Sequence, residues 1–387
     1  MRIIHFALSC FYIEGYTYQE NVLPKIHADT GNSVLMVASC ISFDDKGKAI
    51  IVEPTRYHSK DGFDVIRVPF RKHYERGLSR RMKLYEGVRD IITSFKPDIM
   101  YFHGCGSVEL LTLVEYKKEH SEVKLFVDNH ADGNNSATNF LSYYALHKIV
   151  YKNVIKRALP YIEKVLCPAI ECMDFCRNMY DVPDSKLEFY PLGGVILDEK
   201  IRNDYRNLIR NRENISSNTL VFTHSGKMDA KKRTLEIIEA FSSVHDPKMR
   251  LWIIGVLMDD VKEKVSKEIL KDERITFLGW KSSEELTQYL CATDCYVQPG
   301  GQSATMQNAM CCGCAVILYP YRSHAPYIDG NGYYVETVED MKSIFLDISI
   351  HPGKIKEMRK KSIEIASELL DYNKLAARVC ISSSGEL

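Results

Sequence analysis

The 387-residue chain has no excess of charge of either sign and no long apolar run. Lysine and arginine together number 51, as do aspartate and glutamate, so the formal net charge is zero. This balance argues against a protein whose whole surface binds nucleic acid, because such binding needs a positive field. No stretch approaches the length of apolar sequence that a membrane-spanning helix requires. The composition, 45% hydrophobic and 26% charged, is typical of a globular protein.

The sequence also lacks the usual cysteine pattern of a metal site. No Cys-x2-Cys pair recurs at zinc-ribbon spacing, and Cys311, Cys312 and Cys314 are too crowded to bind one ion without a further histidine. Most of the twelve cysteines stand in apolar runs, where a thiol packs as a small hydrophobic group. The N-terminal residues show no signal-peptide cleavage site. We therefore expect reduced thiols, no metal, no cofactor and a cytoplasmic location.

Short apolar runs alternate with helix-patterned stretches, which predicts parallel sheets with crossover helices. The first series has strands near residues 2–9, 33–38, 63–68, 98–103, 124–128 and 164–167, and helices near 18–29, 78–95, 108–120 and 139–157. The second series has strands near residues 219–224, 250–255, 274–278, 294–298 and 315–318, and helices near 234–244, 260–270, 283–291 and 304–312.

A polar segment at residues 198–217, rich in asparagine and arginine, separates the two series, and we expect it to be an exposed link. The predicted fold class is α/β, with two tandem Rossmann-like, doubly wound domains. Their expected extents are residues 1–195 and 196–365, followed by a C-terminal helix and tail at 366–387. Because open α/β sheets bind ligands at the carboxyl ends of their strands, we expect a ligand-binding cleft between the two domains.

One candidate anion site follows the strand near 294–298. Pro299, Gly300 and Gly301 lead into a helix that Ser303 can cap and that starts near Ala304 and Thr305. The glycines allow a ligand to approach the backbone closely, and the free amides at the helix start present partial positive charge to an anion. The alternative is a tight strand-to-helix turn without a ligand.

A second candidate lies upstream, where a strand ends in Gly226 and Lys227. Lys232 follows five residues later, at the start of a helix. Two cations at a loop-to-helix junction can neutralise a diphosphate. The alternative is a solvated basic turn, which is the commoner meaning of a run such as Lys231-Lys-Arg233.

The order of these motifs resembles the GT-B glycosyltransferases of family 4, which are retaining nucleotide-sugar transferases. The resemblance extends from about Pro191 to Leu318 and is weak in the first domain. Its motifs here are Pro191-Leu-Gly-Gly-Val195, Gly226 with Lys227 and Lys232, Gly255, Phe277-Leu-Gly279, and Asn308-Ala-Met-Cys-Cys-Gly-Cys-Ala-Val316. The family carries two glutamates eight positions apart. This chain has Asn308 at the second position and Gly300 at the first, or Gln302 if the loop is shorter.

The resemblance implies an acceptor-binding first domain and a second domain that binds a nucleotide-diphosphate sugar. The implied donor phosphate residues are Gly15, Lys227, Lys232, Ser303, Ala304 and Thr305. Gly301 and Gln302 would contact the donor sugar, and Gly279, Trp280 and Asn308 would bind the nucleoside. The divalent-ion motif of the other large glycosyltransferase fold, Asp-x-Asp, does not occur, so metal dependence is not expected.

In the first domain, a polar loop at residues 129–136 follows a predicted strand. His130 matches the position where family members often have a histidine near the donor sugar. In a retaining reaction the leaving phosphate can take the acceptor proton, whereas an inverting reaction would need a base, for which His130 and Asp132 are the candidates. The alternative for His130 is a loop histidine that closes a turn.

Residues 56–96 hold eleven basic residues and five acidic ones. Within them Phe70, Tyr74, Leu78, Met82 and Tyr85 recur at helical spacing. A basic amphipathic helix can lie on an anionic membrane and hold a lipid-linked phosphate, and the candidate patch is Arg71, Lys72, Arg76, Arg80 and Arg81. The alternative is an ordinary surface helix whose apolar stripe belongs to the core.

The sequence thus predicts a glycosyltransferase that moves a hexose-type sugar from a nucleotide-diphosphate donor to a surface glycan. We expect the acceptor to be lipid-linked, at the cytoplasmic face of a membrane, with no nucleic-acid partner. Two alternatives remain: a non-catalytic nucleotide-sugar-binding subunit that activates a partner, and a nucleotide-sugar epimerase of the same architecture.

Overall fold

The computed structural model describes residues 1–43, 48–77, 79–133, 136, 142–301 and 303–381. The chain forms two units. Unit 1 comprises Met1–Pro191 together with Leu375–Leu387, and unit 2 comprises Leu192–Lys374. Each unit contains a largely parallel sheet flanked by helices, as the alternation of apolar runs and helical patterns predicts.

Unit 1 contains an eight-stranded sheet and a small hairpin. The strands are β1 (Arg2–Ala7), β2 (Ser33–Ser39), β3 (Ile41–Phe43), β4 (Ala49–Ile51), β5 (Thr55–His58), β6 (Asp64–Val68), β7 (Ile99–Phe102), β8 (Lys124–Asp128), β9 (Val165–Cys167) and β10 (Leu187–Phe189). The sheet order is β10-β9-β8-β7-β1-β2-β6-β5, while β3 and β4 pair separately. Neighbouring strands of the sheet are parallel except β5, which is antiparallel to β6. The carboxyl ends of the parallel strands therefore meet at one edge.

Helices of unit 1 pack apolar side chains against alternate residues of its sheet strands in one buried cluster. The helices of unit 1 are α1 (Gln19–Asp29), α2 (Val88–Phe95), α3 (Leu110–Glu119), α4 (Lys152–Ala158) and α5 (Ile170–Tyr180), with a π-helix (Ser142–Tyr151) that continues into α4.

Unit 2 contains a six-stranded sheet in which all neighbours are parallel. Its strands are β11 (Leu220–Met228), β12 (Met249–Leu257), β13 (Ile275–Gly279), β14 (Cys295–Gln298), β15 (Ala315–Leu318) and β16 (Gly332–Tyr334), in the order β13-β12-β11-β14-β15-β16. Its helices are α6 (Glu199–Arg212), α7 (Thr234–Ser242), α8 (Lys262–Ile269), α9 (Ser283–Ala292), α10 (Ala304–Cys311), α11 (Val338–Ile350) and α12 (Gly353–Leu369).

The last helix, α13 (Tyr372–Cys380), belongs to unit 1 from Leu375 onward. Within unit 1, the Tyr190 hydroxyl donates to the Leu375 backbone oxygen at 2.7 Å, and the His27 ring lies 3.0 Å from the Ala376 oxygen. These bonds fix the C-terminal helix to the first sheet.

The predicted helix near 78–95 is wrong in its first half. Only α2 is α-helical, and a short 3-10 helix, Ser79–Met82, precedes it. Lys83 and Gly87 have φ of 51° and 70°, which lie outside the helical region and interrupt the chain between these elements. The apolar stripe therefore lies on no single helix: Phe70 and Tyr85 stack in the core with ring centroids 4.8 Å apart. Leu78 lies outside the described residues.

The segment 198–217 is largely exposed, as expected, but it is not a link, because α6 occupies most of it and lies within unit 2. Arg206 and Arg210 donate to the buried Asp294 carboxylate at 2.7 and 3.2 Å, and both also donate to the Ala292 backbone oxygen near the end of α9. Cations near the carbonyl end of a helix and beside a buried carboxylate are stabilising. Arg206 and Arg210 therefore stabilise the fold of unit 2 through these hydrogen bonds.

All twelve cysteines are free thiols and ten are buried, as their apolar surroundings suggest. In the part of the chain that the structure describes, no helix is long and apolar enough to cross a membrane.

Buried neutral histidines should make the protein less stable in acid. His224 is fully buried, with Nδ1 2.8 Å from the Val297 oxygen and Nε2 3.2 Å from Thr234 Oγ1. Burial lowers the pKa of His224 from 6.5 to about 4. The unfolded chain therefore binds the proton first, so stability is complete above pH ~6.5 and declines toward pH ~4, by about 3 kcal/mol for this group.

Urea denaturation at pH 7.5, 6 and 5 measures this decline directly. The variant His224→Gln, which keeps a donor and an acceptor but cannot titrate, should show a shallower loss of unfolding free energy over the same range. An identical pH slope in wild type and variant would contradict the assignment.

Candidate functional site

The carboxyl edge of the unit 2 sheet carries most of the predicted donor residues. β11 ends just after Gly226 and Lys227, β13 ends at Gly279 next to Trp280, and β14 runs into the loop at 299–301. Because all strands of this sheet are parallel, these segments share one edge. The structure thus brings together segments that are distant in sequence.

Two glycines allow β11 and β12 to approach closely at this edge. Gly226 and Gly255 are partners in the parallel register, and a Cβ on Gly255 would lie 1.9 Å from the Gly226 oxygen. Their φ values of 138° and 137° also favour glycine. The glycines are required by the backbone at the strand ends, whatever binds there.

Lys232 packs against the glycine loop that follows β14. It ends a short 3-10 helix (Ala230–Lys232), and its Nζ donates to the Gly301 oxygen at 3.1 Å. A Cβ on Gly300 would lie 2.1 Å from the Lys231 oxygen, so the lysine turn and the loop touch without room for a side chain. Burial lowers the pKa of Lys232, partly offset by Asp229. An anion placed beside this ammonium would offset the cost of its burial.

The neighbouring Arg233 is not a solvated surface residue. Its Nη1 donates to the Pro299 oxygen at 3.0 Å, and its guanidinium is paired with Glu236. The basic run therefore divides into an exposed Lys231 and two side chains that bond to the loop. Sequence spacing alone did not distinguish Arg233 from Lys231.

The helix α10 begins as predicted. Ser303 is its N-cap and accepts the Thr305 N–H at 3.3 Å, and Ala304 is the first helical residue. One turn later, Gln307 accepts the Gly193 N–H at 2.9 Å, and the exposed Asn308 lies beside Gly194. Gln302 lies outside the described residues.

Two other predicted donor residues extend into solvent. Trp280 is 70% exposed at the end of β13, and Lys227 is exposed at the end of β11. An exposed indole at a strand carboxyl end has an uncovered face on which a planar ring can stack.

Unit 1 contains a polar cavity of about 640 Å³ at the carboxyl ends of β1, β7 and β8. His130 lies in its wall. Asp132 and Gly15 are not among the residues that line it. The lining side chains that matter for its chemistry are Glu20, Lys83, His103, Asp128, His130 and His147.

Asp128, the last residue of β8, is the buried carboxylate of this cavity. From the sequence it was predicted only to end a strand. Its Oδ2 lies 2.7 Å from His103 Nδ1, its Oδ1 accepts the Gly104 N–H at 2.7 Å, and His130 Nε2 is 3.7 Å from Oδ1. Burial raises the pKa of Asp128, but His103, His130 and the Gly104 N–H together hold it below its ordinary value. An acid at the end of an otherwise apolar strand was the available signal.

Lys83 is the second group that sequence reasoning left unassigned. Its Nζ donates to the Ser9 oxygen at 2.5 Å, and among the described residues it forms no ion pair. Burial lowers the pKa of Lys83 to about 8, and Arg81 adds to the effect. Such an ammonium is stabilised by a bound anion.

A second cavity, of about 420 Å³, shares Ser9, Cys10, Arg81 and Lys83 with the first. The rest of its lining is mainly apolar and comprises Leu8, Phe11, Ile41, Ala49, Phe70, Gly77 and Tyr85, together with the cation Arg80. The cations therefore lie where a polar cavity and an apolar one adjoin.

The predicted basic patch is not a single surface. Arg71 donates to the Tyr85 oxygen at 2.8 Å and to the buried Glu109 at 3.2 Å, and Arg80 lies over the Phe70 ring. Arg71 and Arg80 therefore contact other residues of the fold, although Arg71 is exposed, as are Lys72, Arg76 and Arg81. In the described ranges, no group of three His, Cys, Asp or Glu residues is placed to hold a metal ion.

The fit between the lysine turn and the glycine loop can be tested by adding one methyl group. Gly300→Ala should destabilise unit 2 by about 3 kcal/mol or more, because the new Cβ meets backbone atoms. Gly301→Ala is the matched control, since nothing lies within 4 Å of its Cβ position. Thermal unfolding of both variants measures the difference, and equal stabilities would contradict the described packing.

Comparison with known proteins agrees with this architecture. Residues 206–350 match the family model of glycosyl transferases group 1. No curated protein sequence matches the chain significantly.

Solved structures match over nearly the whole chain at low identity. HepE from Anabaena, solved with UDP, matches with a TM-score of 0.67 at 14% identity, covering 98% of each chain. Sucrose-phosphate synthase from Thermosynechococcus elongatus gives 0.66 at 15% identity, covering 98% of this chain and 97% of its own. WaaG, a glycosyltransferase involved in lipopolysaccharide biosynthesis, gives 0.61 at 14%, with full coverage of both chains.

These matches confirm the predicted fold class of two Rossmann-like α/β domains, and they confirm the resemblance. The chain has the GT-B fold and carries a glycosyl transferases group 1 domain at residues 206–350.

Proposed function

We propose that this chain transfers a sugar from a UDP-sugar, bound at the carboxyl edge of unit 2, to an acceptor that bears a phosphate and an apolar chain, bound in unit 1. The observation that carries the donor half is the packing of Lys232 against the glycine loop before α10. HepE has been solved with UDP and with UDP-glucose, which supports a uridine nucleotide as the donor.

The donor diphosphate would be bound by charge and by backbone amides. Lys232 is partly buried, and burial lowers its pKa. A bound phosphate would therefore offset the free-energy cost of burying the ammonium charge. The start of α10, capped by Ser303, supplies amides for a second phosphate oxygen. Lys227 adds an exposed cation at the end of the neighbouring strand.

The nucleoside and sugar would occupy the rest of this edge. The exposed Trp280 ring can stack on uracil, with Gly279 beside it. Asn308, where the family has a glutamate, can both donate to and accept from ribose hydroxyls. The sugar would lie near Gly301 and Gln302, and the family resemblance assigns His130 to the donor sugar as well.

We propose a retaining transfer without a metal ion. The bond between the anomeric carbon and the donor phosphate breaks, and the bond from that carbon to the acceptor oxygen forms. The acceptor hydroxyl proton passes to the leaving phosphate oxygen, so no protein base is needed. Lys232 and the α10 amides stabilise the charge that develops on the diphosphate.

The acceptor half of the proposal comes from the two adjoining cavities of unit 1. A ligand with a phosphate at Arg81 and Lys83 could extend a sugar into the polar cavity and an apolar chain into the cavity formed by Phe11, Ile41 and Phe70. WaaG takes part in lipopolysaccharide biosynthesis, which supports an amphiphilic acceptor. Such an acceptor would bring the protein to the cytoplasmic face of a membrane, where Lys72, Arg76 and Arg81 can contact anionic headgroups.

Nucleotide binding tests the donor half. UDP at a hundred times its dissociation constant should stabilise the protein by about 2.7 kcal/mol, visible as a rise in Tm. Lys232→Ala should abolish this shift because it removes the buried cation, whereas Lys231→Ala, in the same turn but exposed, should keep it.

The outcomes separate the alternatives. No shift with UDP, GDP, ADP or CMP would contradict the donor site. A shift without transfer or hydrolysis of the sugar would favour the non-catalytic binding subunit, and a changed donor sugar without an acceptor would favour the epimerase.

The acceptor half predicts selective binding of a small amphiphile. Decyl phosphate should raise Tm. Decanol or inorganic phosphate alone should do so much less, because decanol supplies only the apolar chain and inorganic phosphate only the anion. Ala49→Arg, which fills the apolar cavity, should remove the effect, while Ile50→Arg on the opposite face of β4 should not. Equal binding of decyl phosphate to both variants would contradict the placement.

A further inference from the structure

Four buried polar side chains cross unit 1 from its cavity to its C-terminal helix. His5 lies on β1, His103 directly follows β7, Asp128 ends β8, and His27 lies on α1. Each is 2% exposed or less. Buried groups of this kind must satisfy their hydrogen-bonding atoms within the protein.

Four hydrogen bonds join them in a line. Asp128 Oδ2 lies 2.7 Å from His103 Nδ1, and His103 Nε2 lies 3.1 Å from His5 Nδ1. His5 Nε2 lies 3.0 Å from His27 Nδ1, and His27 Nε2 lies 3.0 Å from the backbone oxygen of Ala376. Every ring nitrogen of the three histidines therefore faces a partner.

The last bond fixes the direction of the others. A backbone carbonyl only accepts, so His27 Nε2 must carry a hydrogen, and Nδ1 of a neutral His27 must accept. His5 Nε2 then donates to His27, and His5 Nδ1 accepts from His103 Nε2. Burial lowers the pKa of both His5 and His27, which agrees with neutral rings.

With the hydrogen bonds in this direction, three neutral histidines carry one hydrogen too few for the bond between His103 and Asp128. His103 Nδ1 faces a carboxylate, which also only accepts, so Nδ1 needs a hydrogen as well. Four hydrogen bonds require four hydrogens, and three neutral imidazoles supply three. The fourth is an additional proton shared by His103 and Asp128.

The surroundings assign this proton to His103. Although burial raises the pKa of Asp128, His103, His130 and the Gly104 N–H hold it below its ordinary value, which favours the carboxylate. Glu20, Arg81, Lys83 and His147 line the same cavity as Asp128, and the thiol and phenol groups near it are Cys10, Tyr101 and Tyr190. Burial raises the pKa of each of these thiol and phenol groups, so they remain neutral and contribute no further charge.

We propose that Asp128, His103, His5 and His27 form a proton-holding chain that keeps His103 doubly protonated and thereby keeps Asp128 ionised in the cavity wall. Both His103 nitrogens are occupied within this chain, so His103 is a positioning residue. The carboxylate it maintains holds the Gly104 N–H and faces His130 at 3.7 Å, and so orients His130 in the cavity. The consequence for catalysis rests on the proposed function, but the protonation state does not.

The wild-type protein tests the protonation state directly. With ¹⁵N-labelled histidine at pH 8, where a solvent-exposed imidazole is neutral, long-range ¹H–¹⁵N spectra should show both His103 nitrogens protonated. His5 and His27 should each show one protonated nitrogen, Nε2. A neutral His103, or protonation of His5 or His27 at Nδ1, would overturn the proposal.

Replacing His27, which does not contact His103, should change the protonation of His103. In His27→Phe the direction is no longer fixed by Ala376, so His103 can accept from His5 and needs only one hydrogen. We expect its second N–H signal to be lost at pH 8. His27→Gln, which supplies an acceptor and a donor, should retain it.

Activity provides the second readout. If His130 contacts the transferred sugar, His27→Phe should lower kcat by about tenfold to a hundredfold with an unchanged KM for the UDP-sugar, and His27→Gln should restore it. An unchanged kcat in His27→Phe would overturn the positioning role. Absence of transfer by the wild type would contradict the proposed function and leave the spectra valid. If His27→Phe does not fold, the wild-type spectrum still decides the protonation state.

Discussion

The parallel order of the strands is the constraint on which the candidate sites depend. Six parallel strands in unit 2 bring the ends of β11, β13 and β14 to one edge, although these ends are separated by many residues in sequence. The same rule in unit 1 places Ser9, His103 and Asp128 around one cavity. Backbone segments approach each other closely at these ends and leave no room for a side chain. This explains why Gly226 is paired with Gly255 and why a Cβ on Gly300 would meet the Lys231 oxygen. The sheet topology determines where the candidate sites lie, and the glycines allow the backbone segments there to approach closely.

The alternation of apolar runs predicted the strands well, because burial on both faces of a parallel sheet requires continuous apolar sequence. The donor turn was also predictable, since Ser303 and Gly300 carry local signals for a cap and a close approach. What failed depended on distant partners. The basic segment 198–217 looked like a link because Asp294, the partner of Arg206 and Arg210, is more than eighty residues away. The helix before α2 failed because the positive φ of Lys83 has no signature in a non-glycine residue.

The unit 1 cavity was predictable in position but not in chemistry. His130 could be identified because it follows a strand, as could the polar loop around it. The chain from Asp128 to His27 could not, because it joins single residues of β1 and β8 and the residue after β7 with a residue of α1. No pattern within one strand shows which neighbour a buried histidine will face. Polar residues at inward positions of apolar strands were the available signal, and they became interpretable only with the sheet order.

The two buried charges of this cavity differ in how they are compensated, and this difference determines what the cavity can bind. The charge of Asp128 is neutralised inside the protein by the proton on His103, so it needs no cation from a ligand. Among the described residues, the Lys83 ammonium donates only to the Ser9 backbone oxygen, and the exposed Arg81 beside it adds a second positive charge. Burying a charge is tolerable only when it is paired. The unmet requirement is therefore for an anion, and it lies where the polar and apolar cavities adjoin.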